Sequence, residues 1–336
     1  MAEDAHPAYL SPSELGSKDY QLIPEKANPH PFSFFSSWET YYARTRAHIS
    51  PSTPQAPAPT HDSDPDSDSD LNAEDDPGTS WFAEHNAPQK VLRFLTRAAF
   101  PLAPRNTRGR APAVLDLGTG NGSMLALLRK KGRFAGPLVG VDYSAQSVEL
   151  ARELQASRGH AAYRTDDESE SESEGEQDGG DLEPGIEEQE SSAPIRFEEW
   201  DILGSQAVLS ETGEAVVPVA GEETLAWFPY GAGGFDIVLD KGTFDAISLA
   251  DDAQTTRVCE RYPDIARRLV RRGGFLIVTS CNWTEEELVR WFTGGKEESQ
   301  DRFAVWGRVE YPRFRFGGQE GQGVCTVCFE RVGGTQ

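Results

Sequence analysis

The sequence has 336 residues, of which 37% are hydrophobic, and carries a formal net charge of -23. No apolar run approaches the length of a membrane span. Two segments, Thr60–Gly78 and Thr165–Ser191, contain eight and thirteen acidic residues and no Lys or Arg, so they hold 21 of the 23 excess negative charges. We expect them to lie in disordered, solvated regions, a linker over residues 50–78 and an insert over residues 165–194.

The chain before the linker, residues 1–49, is predicted to be an N-terminal arm that contributes to the functional site. Its runs Ser13–Tyr20 and Trp38–Tyr42 are unusually aromatic and charged for a disordered tail. The main domain is predicted over residues 79–336. It opens with Trp81 and Phe82, and the apolar residues that follow, up to about Phe100, predict a helix packed against the first strand. Both core packing and a role in the site remain open for Trp81.

A glycine-rich turn joins the first predicted strand, Ala113–Leu117, to a predicted helix over residues 123–131. Glycine occupies every second position of the turn, at Gly118, Gly120 and Gly122. Dinucleotide-binding folds have the spacing Gly-x-Gly-x-x-Gly, whereas this turn reads Gly-x-Gly-x-Gly and follows an acid, Asp116. An acid at this place would repel a pyrophosphate but suits a ligand with a cationic amino acid part. The turn resembles the cofactor loop of the S-adenosylmethionine-dependent methyltransferases; the alternative is an ordinary turn without a ligand.

The second and third strands each end near an acid. The strand Leu138–Asp142 ends in Asp142, which is placed to accept hydrogen bonds from ribose hydroxyls. Ser144 can cap the next helix, predicted over residues 145–156. The segment Ile195–Leu203 predicts the third strand and the loop beyond it. The resemblance to methyltransferases places Asp201 and Ile202 at the adenine of the cofactor, whereas an acid at a strand end is also a common helix cap.

The fourth strand, Phe235–Leu239, is almost wholly apolar and is therefore predicted to be central and parallel. It follows a poorly patterned excursion over residues 204–234 and delivers Asp240 and Lys241 to the mouth of the site. Open α/β sheets bind ligands outside the carboxyl ends of their strands. Asp116, Asp142, Asp201 and Asp240 all fall there.

The remaining chain continues the alternation of helices and strands and ends in two strands with no helix between them. A helix is predicted over residues 253–272, where Pro263 must kink it or start a second helix. The other elements are the strand Gly273–Ser280, the helix Glu285–Phe292 and the closing strands Phe303–Phe314 and Val324–Arg331. This layout predicts an α/β fold with a seven-stranded, Rossmann-like sheet of the class I methyltransferase type, mostly parallel with an antiparallel C-terminal strand. Cys325 and Cys328 lie three apart on one strand and should point to opposite faces, which favours structural roles.

Five fragments give a narrower resemblance. They are Ser13–Tyr20, Trp81–Phe82, Asp116–Gly122, Asp240–Ile247 and Ser280–Thr284. Together they resemble the eukaryotic protein-lysine methyltransferases that modify translation elongation factor 1-alpha, in particular the group called elongation factor methyltransferase 4 in fungi. In that group a tryptophan follows directly on the N-terminal tyrosine, whereas here Tyr20 is followed by Gln21 and the matching residue is Trp38. Residues 21–37 are therefore an insertion within the motif or an intron left in a gene model.

The resemblance implies methyl transfer from S-adenosylmethionine to a neutral lysine amine of elongation factor 1-alpha. A channel lined by aromatic side chains suits that amine and its methylated product. The candidates are Phe244, Trp81 and Trp283, although large apolar residues usually serve the core. Asp240 would face either the amino group of the cofactor or the incoming lysine, and the sequence does not decide between them.

Two other classes of function are kept as alternatives. One is a class I methyltransferase with a different protein, RNA or small-molecule substrate, and the other is a non-catalytic binding protein that retains the fold. No basic patch with interleaved aromatic residues favours nucleic acid. We expect a monomer that needs no metal and contacts no membrane. Four cysteines and no hydrophobic N-terminal segment indicate a reducing compartment, the cytosol, with the nucleus as a second location.

Overall fold

The computed structural model describes residues 7, 9–10, 38–49, 85–107, 109–164, 193–250, 258–294, 301–316, 319–321 and 323–333. Several predicted features lie outside the described residues. They are the run Ser13–Tyr20, Trp81, the linker over residues 50–78 and the acidic insert up to residue 192.

A seven-stranded sheet organises the chain. Its strands are β1 (Val114–Leu117), β2 (Leu138–Asp142), β3 (Arg196–Glu199), β4 (Phe235–Lys241), β5 (Val270–Ser280), β6 (Asp301–Val309) and β9 (Cys325–Gly333), in the order β3-β2-β1-β4-β5-β9-β6. The first five strands in this order pair in parallel, and β9 is antiparallel to both of its neighbours. A separate two-stranded ribbon, β7 (Phe314–Phe316) and β8 (Gln319–Gly321), lies in the connection between β6 and β9. The predicted mostly parallel sheet with an antiparallel C-terminal strand is confirmed.

Seven α-helices accompany the sheet in the described residues. They are α1 (Trp38–Ile49), α2 (Ala87–Thr96), α3 (Ser123–Lys130), α4 (Ala145–Ser157), α5 (Thr243–Ser248), α6 (Val258–Leu269) and α7 (Glu285–Thr293). The helix α6 is continuous and keeps Pro263 inside it. It ends at Leu269, three residues earlier than predicted, because β5 already begins at Val270. No helix in the described part of the chain is long and apolar enough to cross a bilayer.

Successive residues of the central strands pack into two separate cores. Along β5, Phe275 and Ile277 belong to the cluster that contains α2 and α3, whereas Leu276 and Val278 belong to the cluster that contains α6 and α7. Burial on both faces explains the continuous apolar runs of the parallel strands. Residues 204–234 form little regular structure, yet they bury four side chains in the cluster of α6 and α7: Leu209, Leu225, Trp227 and Phe228.

The two cysteines of β9 follow the same alternation. Cys325 packs in the cluster of α6 and α7 and Cys328 in the cluster of α2 and α3, so the predicted opposite orientation is confirmed. All four cysteines of the chain are free thiols.

A buried arginine fixes the far end of β9. The guanidinium of Arg331 is fully buried and forms an ion pair of 2.6 Å with Asp301 of β6. It also donates to the carbonyl oxygens of Ser210, Arg267 and Val270. One side chain therefore ties together two strands, α6 and the irregular segment.

Candidate active site

The predicted acids reach one edge of the sheet because the central strands are parallel and in register. Leu117 of β1 pairs with Val141 of β2 on one side and with Asp240 of β4 on the other. Asp142 lies close enough to Asp116 for its negative charge to raise the pKa of Asp116. The carboxyl ends of β1, β2 and β4 thus form one polar edge, as expected for an open α/β sheet.

The glycine-rich turn, residues 118–122, is the tightest part of this edge. All three of its glycines have positive φ, between 58° and 74°. A side chain at any of them would meet a neighbour: the Thr243 hydroxyl at Gly118, the Tyr42 hydroxyl at Gly120 and the ring of Phe197 at Gly122. The turn therefore depends on glycine both for its backbone conformation and for the close approach of neighbouring groups.

Asp116 is a buried acid of β1, two residues before the turn. It is 3% exposed, and its Oδ2 accepts a 2.8 Å hydrogen bond from the Thr119 hydroxyl. Burial raises the pKa of Asp116 to about 6, and the nearby Lys241 ammonium opposes this rise. A buried carboxylate at the end of a strand favours a ligand that brings its own positive charge.

Asp142 holds the turn in place. Its Oδ2 accepts from the Gly120 amide at 3.1 Å and lies 2.8 Å from the Ser147 hydroxyl, and its Oδ1 accepts from the Ser144 amide at 3.0 Å. Burial raises the pKa of Asp142, while these hydrogen bonds oppose the rise. A carboxylate has about four acceptor positions, so Asp142 retains room to accept a further donor such as a ribose hydroxyl.

Asp201 and Ile202 lie just beyond β3. The Asp201 carboxylate accepts a 3.0 Å hydrogen bond from the Leu203 amide and so caps the turn that follows the strand. Ile202 lines a cavity of about 390 Å³ between this segment and α6. A turn and not a helix follows Asp201, so the carboxylate is not a helix cap, and the contact of both residues with adenine stays a prediction.

Asp240 lies just before α5 and accepts hydrogen bonds from the first amide groups of that helix. It is 1% exposed, and its carboxylate accepts from the amides of Thr243 and Phe244 and, at 2.6 Å, from the Tyr262 hydroxyl. Burial raises the pKa of Asp240 to about 7, and these donors oppose the rise. The described partners of Asp240 thus give it a structural role, and its contact with cofactor or lysine stays a prediction.

Phe244 lies in an aromatic cluster rather than at an open surface. It is 1% exposed and stacks between Tyr262 and Trp283, with ring centroids 5.5 and 5.8 Å away. Trp291 and Phe292 of α7 close the cluster edge-on. Phe244 and Trp283 are therefore core residues in this structure, and their place in a substrate channel stays a prediction.

Several residues of this edge were not singled out from the sequence. The Thr243 hydroxyl donates a 2.7 Å hydrogen bond to the Leu117 carbonyl and so ties α5 to β1. The Tyr163 hydroxyl donates to the Asn121 carbonyl at 3.1 Å, and Tyr42 packs on Gly120. Thr243 lies inside the Asp240–Ile247 fragment and could have been found there. The two tyrosines are linked to the turn only by the fold.

This arrangement defines the class of protein. A family model described as "Methyltransferase domain" matches residues 110–167, the part of the chain that contains β1, the glycine-rich turn, β2 and α4. Together with the strand order and the strand-end acids, it makes the chain a class I S-adenosylmethionine-dependent methyltransferase.

Comparison with known proteins narrows this class. The protein-lysine N-methyltransferase EFM4 of Saccharomyces cerevisiae is 31% identical over 258 residues, which cover 76% of this chain and 83% of the yeast protein. The human EEF1A lysine methyltransferase 2 is 28% identical over 257 residues, 76% of this chain and 78% of the human protein. A solved structure of magnesium protoporphyrin IX methyltransferase from Synechocystis with bound S-adenosylmethionine has a TM-score of 0.39 and 14% identity over 75% of this chain and 81% of that chain. The chain belongs to the family of protein-lysine N-methyltransferases that includes the yeast protein.

The residues at the edge fit the cofactor of this family, S-adenosylmethionine. The glycine-rich turn offers backbone that side chains would otherwise obstruct, and Asp116 offers a buried negative charge suited to the amino group of the methionine part. Asp142 retains acceptor capacity suited to the ribose. When bound, the cofactor supplies an electrophilic methyl group on a sulfonium.

Proposed function

We propose that this chain methylates a lysine side chain of translation elongation factor 1-alpha. The observation that carries the proposal is the 31% identity to the yeast protein-lysine N-methyltransferase, which extends over 83% of that protein and is not confined to the glycine-rich turn. The human and mouse relatives, both EEF1A lysine methyltransferase 2, indicate the substrate.

The chain has two tasks in this reaction, to align the reactants and to keep the lysine amine neutral. Alignment replaces a bimolecular encounter by a fixed geometry and requires no acid or base at the methyl group. The C–S bond breaks as the C–N bond forms, so the amine must have a free lone pair. Burial at this edge lowers the pKa of Lys241 even though Asp116 and Asp240 lie nearby and oppose the change. The same desolvation would favour the neutral form of an incoming lysine.

The protein is further proposed to act as a monomer on a protein substrate, without nucleic acid, in the cytosol and also the nucleus. The free state of all four cysteines supports a reducing compartment. Outside the two acidic segments the chain is nearly neutral, so it has no excess of positive charge that would favour a nucleic acid partner. Size-exclusion chromatography with light scattering measures the oligomeric state, and a mass of twice 36.9 kDa would contradict the monomer.

The test is incubation of the purified chain with labelled S-adenosylmethionine and elongation factor 1-alpha, followed by mass mapping of the labelled residue. Asp116→Ala should abolish the label, because it removes the buried carboxylate beside the turn. Glu149→Gln is the matched control, since this half-exposed acid on α4 forms a 2.7 Å ion pair with Arg152 at the surface, and it should label as the wild type does.

Three outcomes separate the possibilities. Label on one lysine that is lost in Asp116→Ala supports the class and the substrate together. Cofactor binding by calorimetry without label on elongation factor 1-alpha contradicts the substrate and sends the search to other proteins, RNA and small molecules. Label that persists in Asp116→Ala contradicts the role of the turn.

A further inference from the structure

One part of the domain concentrates positive charge. Residues 85–137 contain ten Lys and Arg residues and a single acid, Asp116, which is buried at the site. This stretch therefore has a net charge of +9 within a chain whose total is -23. Such a local excess matters for binding, because the charges that a partner meets are those of the surface it touches and not the total of the chain.

The fold gathers these cations on one surface, which we call the cationic face. A β-carbon built on Gly132, just after α3, would lie 2.9 Å from Leu92 Cδ1 of α2, so α2 packs against the end of α3. A β-carbon on Gly136 would lie 2.1 Å from the Pro112 carbonyl oxygen, two residues after Arg110. Three connected parts of the chain thus form the cationic face, and its members are Lys90, Arg93, Arg97, Arg110, Arg129, Lys130, Lys131 and Arg133.

Two cations of this face lie against aromatic rings. The ammonium of Lys90 is 4.6 Å from the ring centroid of Tyr311, and the guanidinium of Arg97 is 4.0 Å from that of Phe94. A ring holds a cation in place but leaves its charge unneutralised. Burial and the nearby positive charge of Arg93 lower the pKa of Lys90, so like charges on this face act on each other. The cationic face therefore favours an anionic occupant.

The acidic insert rejoins the described chain at this face. The Arg129 guanidinium donates a 3.1 Å hydrogen bond to the carbonyl oxygen of Ala193. The segment Thr165–Ser191, which ends two residues earlier, has thirteen acids and no Lys or Arg. A flexible chain of that length spans about 30 Å, whereas a ten-residue helix such as α2 is about 15 Å long. A tether of this kind also keeps a segment at a roughly millimolar local concentration.

We propose that the cationic face is the docking surface for the chain's own acidic insert, residues 165–192, and that the docked insert keeps nucleic acids off this face. The carboxylates of the insert form exposed pairs with the cations, each worth under about 1 kcal/mol, and the tether lets many such weak pairs act together. The inference is independent of the proposed function, because it concerns α2 and the end of α3 and involves no step of methyl transfer.

The first test measures RNA binding with and without the charge of the insert. In the neutral-insert variant, the thirteen acids of Thr165–Ser191 are replaced by Gln or Asn in the full chain. The probe is a fluorescein-labelled oligouridine of about 20 nucleotides, followed by anisotropy in about 50 mM NaCl. The neutral-insert variant should bind about tenfold or more tightly than the wild type, because phosphates then take the place of the carboxylates.

Two matched sets of substitutions in the neutral-insert variant locate the RNA. Each set removes three exposed cations, so both change the total charge equally. Replacing Arg93, Lys131 and Arg133 of the cationic face by Gln should return RNA binding to the weak level of the wild type. The control set, on the side of α6 and α7, should keep the Kd within about twofold; it consists of Arg261→Gln, Arg290→Gln and Arg308→Gln. Thermal unfolding followed by circular dichroism confirms that each variant is folded.

The second test detects the docked insert directly. A carbodiimide joins a lysine amine to a carboxylate that touches it, without adding a spacer. Mass spectrometry of the treated wild type should find Lys130 and Lys131 joined to acids of the insert. About 0.5 M NaCl should prevent these links, because salt screens exposed charges. Mixing isotopically labelled and unlabelled chains distinguishes links within one chain from links between two.

Each outcome decides the proposal. Links within one chain, together with tight RNA binding that needs both the neutral insert and the cationic face, support it. If the wild type binds RNA as tightly as the neutral-insert variant does, the insert does not cover the cationic face and the proposal is wrong. If the control set weakens RNA binding as much as the set on the cationic face, that face is not the docking surface. If the links join different chains, the occupant is a second copy, and the proposal is refuted.

Discussion

Replacing Gly118 by alanine tests how the glycine-rich turn is held against α5. Gly118 has φ of +60°, a conformation that costs an L-residue about 1–2 kcal/mol. The added methyl group would also collide with the Thr243 hydroxyl, which donates a 2.7 Å hydrogen bond to the Leu117 carbonyl. Turning that hydroxyl away leaves a buried acceptor unpaired, at about 1–3 kcal/mol. We expect Gly118→Ala to lower the free energy of unfolding by about 2–5 kcal/mol.

A double-mutant cycle separates the two contributions. Thr243→Ala alone should cost about 1–3 kcal/mol, because it removes the donor to Leu117. It also removes the atom that the new methyl group would hit, and the next nearest atom, Thr243 Cβ, would lie at an ordinary contact distance of 3.4 Å. In the Thr243→Ala background, Gly118→Ala should therefore cost only the backbone strain. The expected coupling between the two sites is about 1–3 kcal/mol.

The four proteins of the cycle are unfolded in urea and followed by far-ultraviolet circular dichroism and tryptophan fluorescence. The cofactor is left out, because a ligand that binds only the folded state would add its own stabilisation. Equal costs of Gly118→Ala in the two backgrounds, within about 0.5 kcal/mol, would refute the contact with Thr243. A fully stable Gly118→Ala variant would refute the strained backbone as well.

Two further predictions concern buried charges. The pKa of Asp240 is raised from 3.8 to about 7, so between these pH values the folded state binds a proton that the unfolded chain has lost. The stability that this proton contributes is complete below pH 4 and is lost as the pH rises through 7. In urea titrations between pH 4 and 8, Asp240→Asn should remove up to about 4 kcal/mol of the fall in the free energy of unfolding with pH. If the free energy of unfolding depends on pH as in the wild type, the raised pKa of the buried carboxyl is contradicted. Arg331→Met should cost about 3–5 kcal/mol in the same assay, because it removes one of the two arginines paired with Asp301 and the donors to several buried carbonyl oxygens. Arg308→Met, at a half-exposed pair, should cost under about 1 kcal/mol, and equal costs would contradict the special position of Arg331.

Local patterns were enough to predict the sheet and the glycine-rich turn. The strands β1, β2 and β4 are short apolar runs that end at acids, and parallel pairing then brings those acids to one edge. Their parallel pairing follows from the helices that connect them. Residues 204–234 show why other parts were missed: they have no period, yet Trp227 and Phe228 are buried. Their burial is set by the sheet face that they cover and not by their own secondary structure.

Tyr42 illustrates the corresponding limit for the site. It is separated from Gly120 by 78 positions and by a linker whose composition carries no information about docking. Its contact with the turn depends on α1 lying along α4, which in turn depends on pairs such as Glu39 with Ser144. A single sequence contains no local signal for such pairs, because Ser144 is recognisable only as the N-cap of its own helix and Glu39 only as an acid in the first turn of another.

The acids of the edge look alike in sequence but differ in the donors that the fold gives them. Asp240 accepts from two amides and a phenol, and Asp142 accepts from two amides and a hydroxyl. For Asp116 the described hydrogen bond comes from Thr119 alone, although burial raises its pKa to about 6. A ligand stabilises a buried carboxylate most where the protein supplies the fewest hydrogen bonds in place of the lost water. Among these acids, Asp116 therefore has the fewest described hydrogen-bond donors, with the nearby Lys241 ammonium offsetting part of its charge, whereas the other two mainly hold backbone in place.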